Sequence, residues 1–144
     1  MTITGWKVLN AGCEGDGNIA SEYVLQRYVN DGWVDVQTVV DNSANTTDFV
    51  LEHPFVSEGV RLRVVKGEQD GTIARVYEFS VYGHEPKEGE AHQPQIISRI
   101  PTYGFGRQVA TVVKSSGRVN EKEDPYFMLD SQRGTKWCYN GSLE

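Results

Sequence analysis

A chain of 144 residues suffices for one domain with a real core, burying roughly two-thirds of its unfolded surface. Its formal charge of -6 and pI near 5.1 argue against nucleic acid or an anionic membrane as the main partner, since either is repelled beyond short range, and favour a neutral ligand. No apolar run reaches the roughly 18 to 20 residues of a membrane span, and the N-terminus lacks the basic and apolar regions of a signal peptide. The expectation is a soluble chain whose export signal, if any, lies elsewhere.

Apolar residues alternate with period two over the first 82 residues, and no stretch sustains the i, i+3, i+4, i+7 pattern of a helix. The class is all-β. Residues 3–9 read as a strand, followed by the glycine-rich run 11–18, a loop long enough to carry a site. A second strand around Tyr23 and Leu25 meets Asn30-Asp31-Gly32 and then 33–36. That Asp-Gly is expected to supply the positive φ of a tight hairpin. Residues 41–47 are polar and turn-rich before a strand resumes at 49–51. Val60-Arg61-Leu62-Arg63-Val64 sets apolar residues on one face and two arginines on the other, a half-solvated strand. The longest candidate is 75–82, ending at Gly83. Short strands at roughly 8 to 12 residue spacing point to a sandwich or barrel.

Composition changes after Gly83. Residues 84–106 open with a charged stretch containing two prolines and no apolar periodicity, and read as a linker or long surface loop. A shorter β-like region follows at 109–113, and then a polar stretch leads into Phe127-Met128-Leu129-Asp130 and Thr135-Lys136-Trp137-Cys138. Cys13 and Cys138 are the only cysteines. They are either two unpaired thiols or a single disulfide of an exported protein, and no histidine stands at zinc-ligand spacing.

Positive signs of catalysis are absent: there is no Gly-x-Ser-x-Gly elbow, no phosphate loop and no His-Glu-x-x-His. His53, His84 and His92 lie in predicted turns or the linker and read as solvated. Glu14 and Asp16 have the residue types of a glycosidase acid/base pair, but sit two positions apart in a glycine loop. Solvation or hydrogen bonds to sugar hydroxyls explain them better. Asp130 and Thr135 place a carboxylate and a hydroxyl five residues apart in a tight loop with carbonyls between, a mixture of oxygens that suits calcium, without the acidic alternation of an EF-hand. Strand alternation puts Glu78 on the face of Val76, where it needs a partner. A salt bridge to Arg61, Arg63 or Arg75 is one candidate, and a cation shared with the Asp130 loop is the other.

The blocks Ile3-Thr4-Gly5-Trp6-Lys7-Val8-Leu9-Asn10-Ala11-Gly12, Ala20-Ser21-Glu22-Tyr23-Val24-Leu25-Gln26, Asn30-Asp31-Gly32-Trp33, Val60-Arg61-Leu62-Arg63-Val64 and Arg75-Val76-Tyr77-Glu78-Phe79-Ser80-Val81-Tyr82-Gly83 resemble, in that order, the second half of a discoidin domain. This is the coagulation factor 5/8 type C domain, whose bacterial sugar-binding branch is family 32 of the carbohydrate-binding modules. Residues 117–140, with Asn120-Glu121, Leu129-Asp130 and Thr135-Lys136-Trp137-Cys138, resemble the family's opening third. The order is therefore rotated, and the intervening Trp-Leu-x-Val-Asp-Leu-Gly strand of the family is missing. Either the chain is cut across two tandem modules or the module is permuted and lacks one strand.

The resemblance implies a jelly-roll-like, galactose-binding-domain-like β-sandwich. Residues 1–83 would form its last two-thirds, 84–106 a linker and 107–144 its first third, completing one composite sandwich within the chain or through a domain-swapped dimer. It also implies a structural calcium ion. Asp130 would give a side-chain oxygen, Gln132 a carbonyl, Thr135 a carbonyl and hydroxyl, Tyr77 and Phe127 carbonyls, and Glu78 its carboxylate. Ser131 stands where the family has glycine. For sugar, Asn10 and Glu14 match the family's polar positions, with Trp137 or Tyr139 as the stacking face and a buried core position as the alternative for Trp137. The implied function is a non-catalytic glycan-binding accessory module of a secreted or cell-surface bacterial glycoside hydrolase, with that enzyme's catalytic domain as its partner. A protein- or membrane-interaction module, or a structural spacer, is the alternative, though the loop at 11–18 offers only Cys13 as an apolar tip for a membrane.

Overall fold

The computed structural model describes residues 1–12, 17–68, 73–89, 115, 117–130, 132 and 134–139, and the backbone of 102–103 and 107–108. Six long strands lead: β1 (Thr2–Asn10), β2 (Glu22–Val29), β3 (Gly32–Val39), β4 (Thr46–Val56), β5 (Val60–Lys66) and β6 (Ala74–His84). Two-residue strands β7 (Thr102–Tyr103) and β8 (Arg107–Gln108) pair with each other, and β9 (Trp137–Tyr139) closes the series. One sheet runs β4-β1-β6-β9 and the other β3-β2-β5, with antiparallel pairing throughout. This is an all-β sandwich.

Alternation decides which face each strand buries. On β1, Ile3, Trp6 and Val8 point inward; on β2, Tyr23 and Leu25 do; on β6, Val76 and Phe79 do, all in one core cluster. Trp6 sits at its centre, fully buried, stacked on Phe49 at 5.0 Å and edge-on to Tyr23 at 5.9 Å. Two polar ties cross between the sheets: the Trp6 indole donates to Gln37 Oε1 at 2.8 Å, and the Tyr23 and Thr47 hydroxyls lie 2.6 Å apart. Both satisfy groups whose burial would otherwise be costly. Burial also pushes the Tyr23 phenol above its ordinary value, against the hydrogen bond to Thr47.

Several sequence expectations need correcting. The hairpin between β2 and β3 turns on Asn30 and Asp31, with φ of 49° and 60°, while Gly32 is already paired with Val29. Two successive left-handed residues make a type I′ turn, whose twist matches the flanking strands. The register between β1 and β6 breaks where Leu9 pairs with Glu78 and Asn10 with Val76. One residue on β1 thus spans two on β6. This bulge resets the alternation, and Val76 and Phe79, three apart, both face the core. Glu78 therefore does not share the face of Val76. The segment read as a linker contributes β7, and β6 runs one residue into it; 109–113 lies outside the described residues.

The C-terminal part is held differently. Two 3-10 turns, Glu121–Glu123 and Pro125–Leu129, are capped by Asn120 and Asp124, whose side chains accept from the N–H groups of Lys122 and Tyr126. Met128, Leu129 and Tyr139 pack against the core that Trp137 joins. Strand β9 adds to the β6 edge of its own chain, with Ala74 opposite Tyr139 and Val76 opposite Trp137.

Candidate functional site

At one end of the sandwich, strands β1, β3 and β5 finish and β2, β4 and β6 start, so three connections crowd together. Asn10 ties them. It is fully buried; its amide nitrogen donates to the Ala44 and Asn45 carbonyls, both at 3.4 Å, and its Oδ1 accepts from Ala20 N at 3.3 Å. Asn45 answers by accepting from Gly12 N at 2.7 Å through Oδ1. A Cβ at Gly12 would lie 2.7 Å from that oxygen and 2.9 Å from Ile19, so the close approach requires glycine. Asn42 donates to the Ala20 and Ala44 carbonyls at 2.9 and 3.1 Å, its backbone held to Ser21 O, and Asp41 before it takes φ 51°. Ser21 N in turn donates to Lys66 O at 3.0 Å.

These ties leave an open cleft of about 500 Å³ lined by Ile19, Ser21, Asn42, Ser43, Lys66 and Glu68 beside Gly17. The wall at Glu68 is an ion pair with Arg75, which also donates to Asn18 Oδ1 at 3.1 Å. Hydroxyls, an amide, an ammonium and a carboxylate thus face one small volume, and only Ile19 among these lining side chains is apolar. Such a lining can make hydrogen bonds to a polyhydroxylated ligand, the groups that fix which hydroxyls are accepted. None of these described residues supplies a stacking ring.

The residues expected to bind sugar are distributed otherwise. Asn10 is beneath the cleft with no exposed surface, and its polar atoms are engaged with backbone; its role is to fasten the loops, which corrects the ligand assignment. Glu14, like Cys13 and Asp16, lies outside the described residues. Trp137 is 8% exposed, its indole donating to Gly117 O at 2.7 Å, and belongs to the core, so it offers no open face for a sugar. Tyr139 stacks parallel to it at 6.3 Å, only partly exposed. Ser21, Asn42, Ser43, Lys66 and Glu68 escaped the sequence reading, although the polar run 41–47 was visible as a turn.

Of the expected calcium ligands, Asp130, Gln132 and Thr135 are brought together. Asp130 accepts from Gln132 N at 2.8 Å and from the Thr135 hydroxyl at 2.7 Å, and that hydroxyl lies 3.2 Å from Gln132 O. The Pro125–Leu129 turn, which includes Phe127, contacts β6, the strand of Tyr77 and Glu78. Lys136 sits 5.9 Å over the Tyr77 ring, and one Glu78 oxygen, Oε1, is buried. Among the described residues no group of three or more histidine, cysteine, aspartate or glutamate side chains converges; the expected set has only two carboxylates. Of the three arginines considered for Glu78, Arg75 pairs with Glu68 and Arg61 bonds Gln26 instead. Cys138 is a buried free thiol, and burial first of all, then Glu123 nearby, raises its pKa. It stays protonated and unreactive near neutral pH.

No helix of the described residues is long and apolar enough to cross a membrane. No family model matches the sequence, and no curated protein matches it. Among solved structures, the family 32 carbohydrate-binding module from Streptococcus pneumoniae EndoD superposes with a TM-score of 0.50 and 26% identity, over 58% of this chain and 62% of that one. The chain thus spans less than two-thirds of that module, and over the shared part it is similar, in fold and in sequence, to a discoidin-like carbohydrate-binding module of family 32.

Proposed function

We propose that this chain is a non-catalytic carbohydrate-binding module. The observation that carries the reading is the likeness in both fold and sequence to the EndoD module. The polar cleft at the loop end supports it, because Ser43 and Lys66 stand among groups suited to sugar hydroxyls. In the same reading the module belongs to a secreted or surface glycoside hydrolase, and raises the concentration of its catalytic domain at glycan by avidity. Glu14 and Tyr139 remain candidate contacts to sugar in this reading.

A structural calcium ion is part of the proposal. The Asp130 turn already gathers a carboxylate, a hydroxyl and a carbonyl, the mixed oxygens that calcium prefers. Asp130, Gln132 and Thr135 would hold the ion together with Phe127, Tyr77 and Glu78. The ion would supply charge neutralisation for the two carboxylates and fasten the C-terminal segment to β6.

A glycan array probed with this chain tests the function. Binding to a sugar, weakened at least tenfold by Lys66→Ala or Ser43→Ala, is the expected result. Failure to bind any sugar at millimolar concentration would remove the reading.

A further inference from the structure

The outer face of the β3-β2-β5 sheet carries a second set of functional groups, which begins one row beyond the Glu22–Lys66 pair and ends at the β2–β3 hairpin, the end of β2 away from the cleft. Since Tyr23 and Leu25 point into the core, Val24, Gln26 and Tyr28 take the opposite face of β2, where Val24 and Gln26 are buried and the accessible groups are those of the flanking strands. Register then fixes their neighbours: Trp33 opposite Tyr28, Asp35 and Arg61 flanking Gln26, and Thr38 and Arg63 flanking Val24. Trp33 is 39% exposed with its ring 5.2 Å from Tyr28, and the Arg61 guanidinium lies 4.5 Å over it.

Arg61 is held as well as exposed. Its Nε donates to Gln26 Oε1 at 2.6 Å, and the Gln26 amide nitrogen donates on to Asp35. With Nε committed, the terminal amino groups of the fork are the ones that can meet a carboxylate or sulfate. Arg63 stands two residues along the same strand face, roughly 7 Å away. Burial first, and then Arg63, lower the Arg61 pKa, while Asp35 opposes them. Asp35 is the only acid in these three rows, so the patch is net positive on a chain of net charge -6.

We propose that this face binds an acidic polysaccharide, with Arg61 and Arg63 taking its anionic groups and the exposed part of Trp33, beside Tyr28, packing against a sugar ring. The complementarity is local. At physiological salt, interactions beyond about 8 Å are screened, so the distant acidic surface does not cancel two arginines at contact. None of its four named residues lines the cleft, so the two sites can be tested separately.

Affinity electrophoresis of the whole chain in gels containing polygalacturonate, dextran sulfate or neutral dextran tests it. Retardation by an acidic polymer and not by dextran is expected. Polygalacturonate alone would assign carboxylate, dextran sulfate alone sulfate, and both the shared charge. Arg61→Gln with Arg63→Gln should reduce affinity at least tenfold, and Trp33→Ala several-fold with less salt dependence. Lys7→Gln, on the other sheet, should change nothing, and Lys66→Ala should spare this binding while impairing the cleft. The single Arg63→Gln variant, at an exposed position, keeps the test available if Trp33→Ala misfolds. An unretarded parent chain, a double variant that binds like the parent, or equal retardation by single-stranded DNA would overturn the proposal.

Discussion

Strands of seven to eleven residues build the region from Thr2 to His84, whereas among the described residues between Gly117 and Tyr139 the one strand has three. The first region is held by long ladders and by residues facing one core from both sheets. The second is held by side chains folded back on nearby backbone, at Asn120, Asp124 and Asp130, and by a few anchors driven into the frame. Non-local pairing distributes stability over many contacts. Local caps concentrate it in a few, each worth about 1 kcal/mol, so the segment depends on Trp137 and the β6 edge for its position.

The contrast can be broken at its two tryptophans. Trp6→Ala should cost about 3 to 5 kcal/mol, a large part of the 5 to 15 available to a domain. It removes the ring on which Phe49 stacks and the donor to Gln37. Urea unfolding should show the loss as a lower midpoint, or no folded state at all. Trp137→Ala should cost about 3 kcal/mol, the lower end of that range, because its site lies at the sheet edge and can partly collapse. If 117–139 completes one cooperative sandwich, fluorescence and circular dichroism must still give one coincident transition. A frame melting as before, with only the segment lost, would show two independent parts.

Calcium sharpens the same comparison, since the proposed ligands come from both regions. A hundredfold excess over Kd stabilises the folded state by about 2.7 kcal/mol, a rise in Tm on the order of 10 °C. Thr135→Val keeps the shape and removes the hydroxyl beside Asp130, so it should abolish that response. Equal Tm in calcium and in chelator for the parent chain would eliminate the ion.

What was legible in the sequence follows this division. Period-two burial along 3–9 and 23–25 announced the frame, because alternation is a local property that survives in the sandwich. The bulge between Leu9 and Asn10 was not legible, since it depends on how two distant strands register, and it misdirected the placement of Glu78. Asn10 had the right residue type for a sugar ligand at a loop mouth. Only the packing of 42–45 across it shows that the amide is consumed by backbone. The cleft was invisible for the same reason: Ser21, Ser43 and Lys66 meet only because three connections fold to one end.

Asp124 gives the gentlest test, on the local side of the comparison. Its carboxylate accepts from Tyr126 N, which holds its pKa below the ordinary 3.8; slight burial opposes this, and the ion pair with Arg118 reinforces it. A folded-state pKa depressed in this way contributes stability that is present above 3.8 and lost as pH falls through the folded value. Asp124→Asn retains an oxygen that can cap the turn and removes only the charge. Its melting temperature should therefore fall slightly below the parent's at pH 7, by less than for any substitution above, and converge with it in acid. Half-molar salt should narrow the gap at pH 7, because the Arg118 pair sits at the surface and is screened. A gap unchanged between pH 7 and pH 2 would mean that the carboxylate acts by shape alone, and that the segment's caps owe nothing to charge.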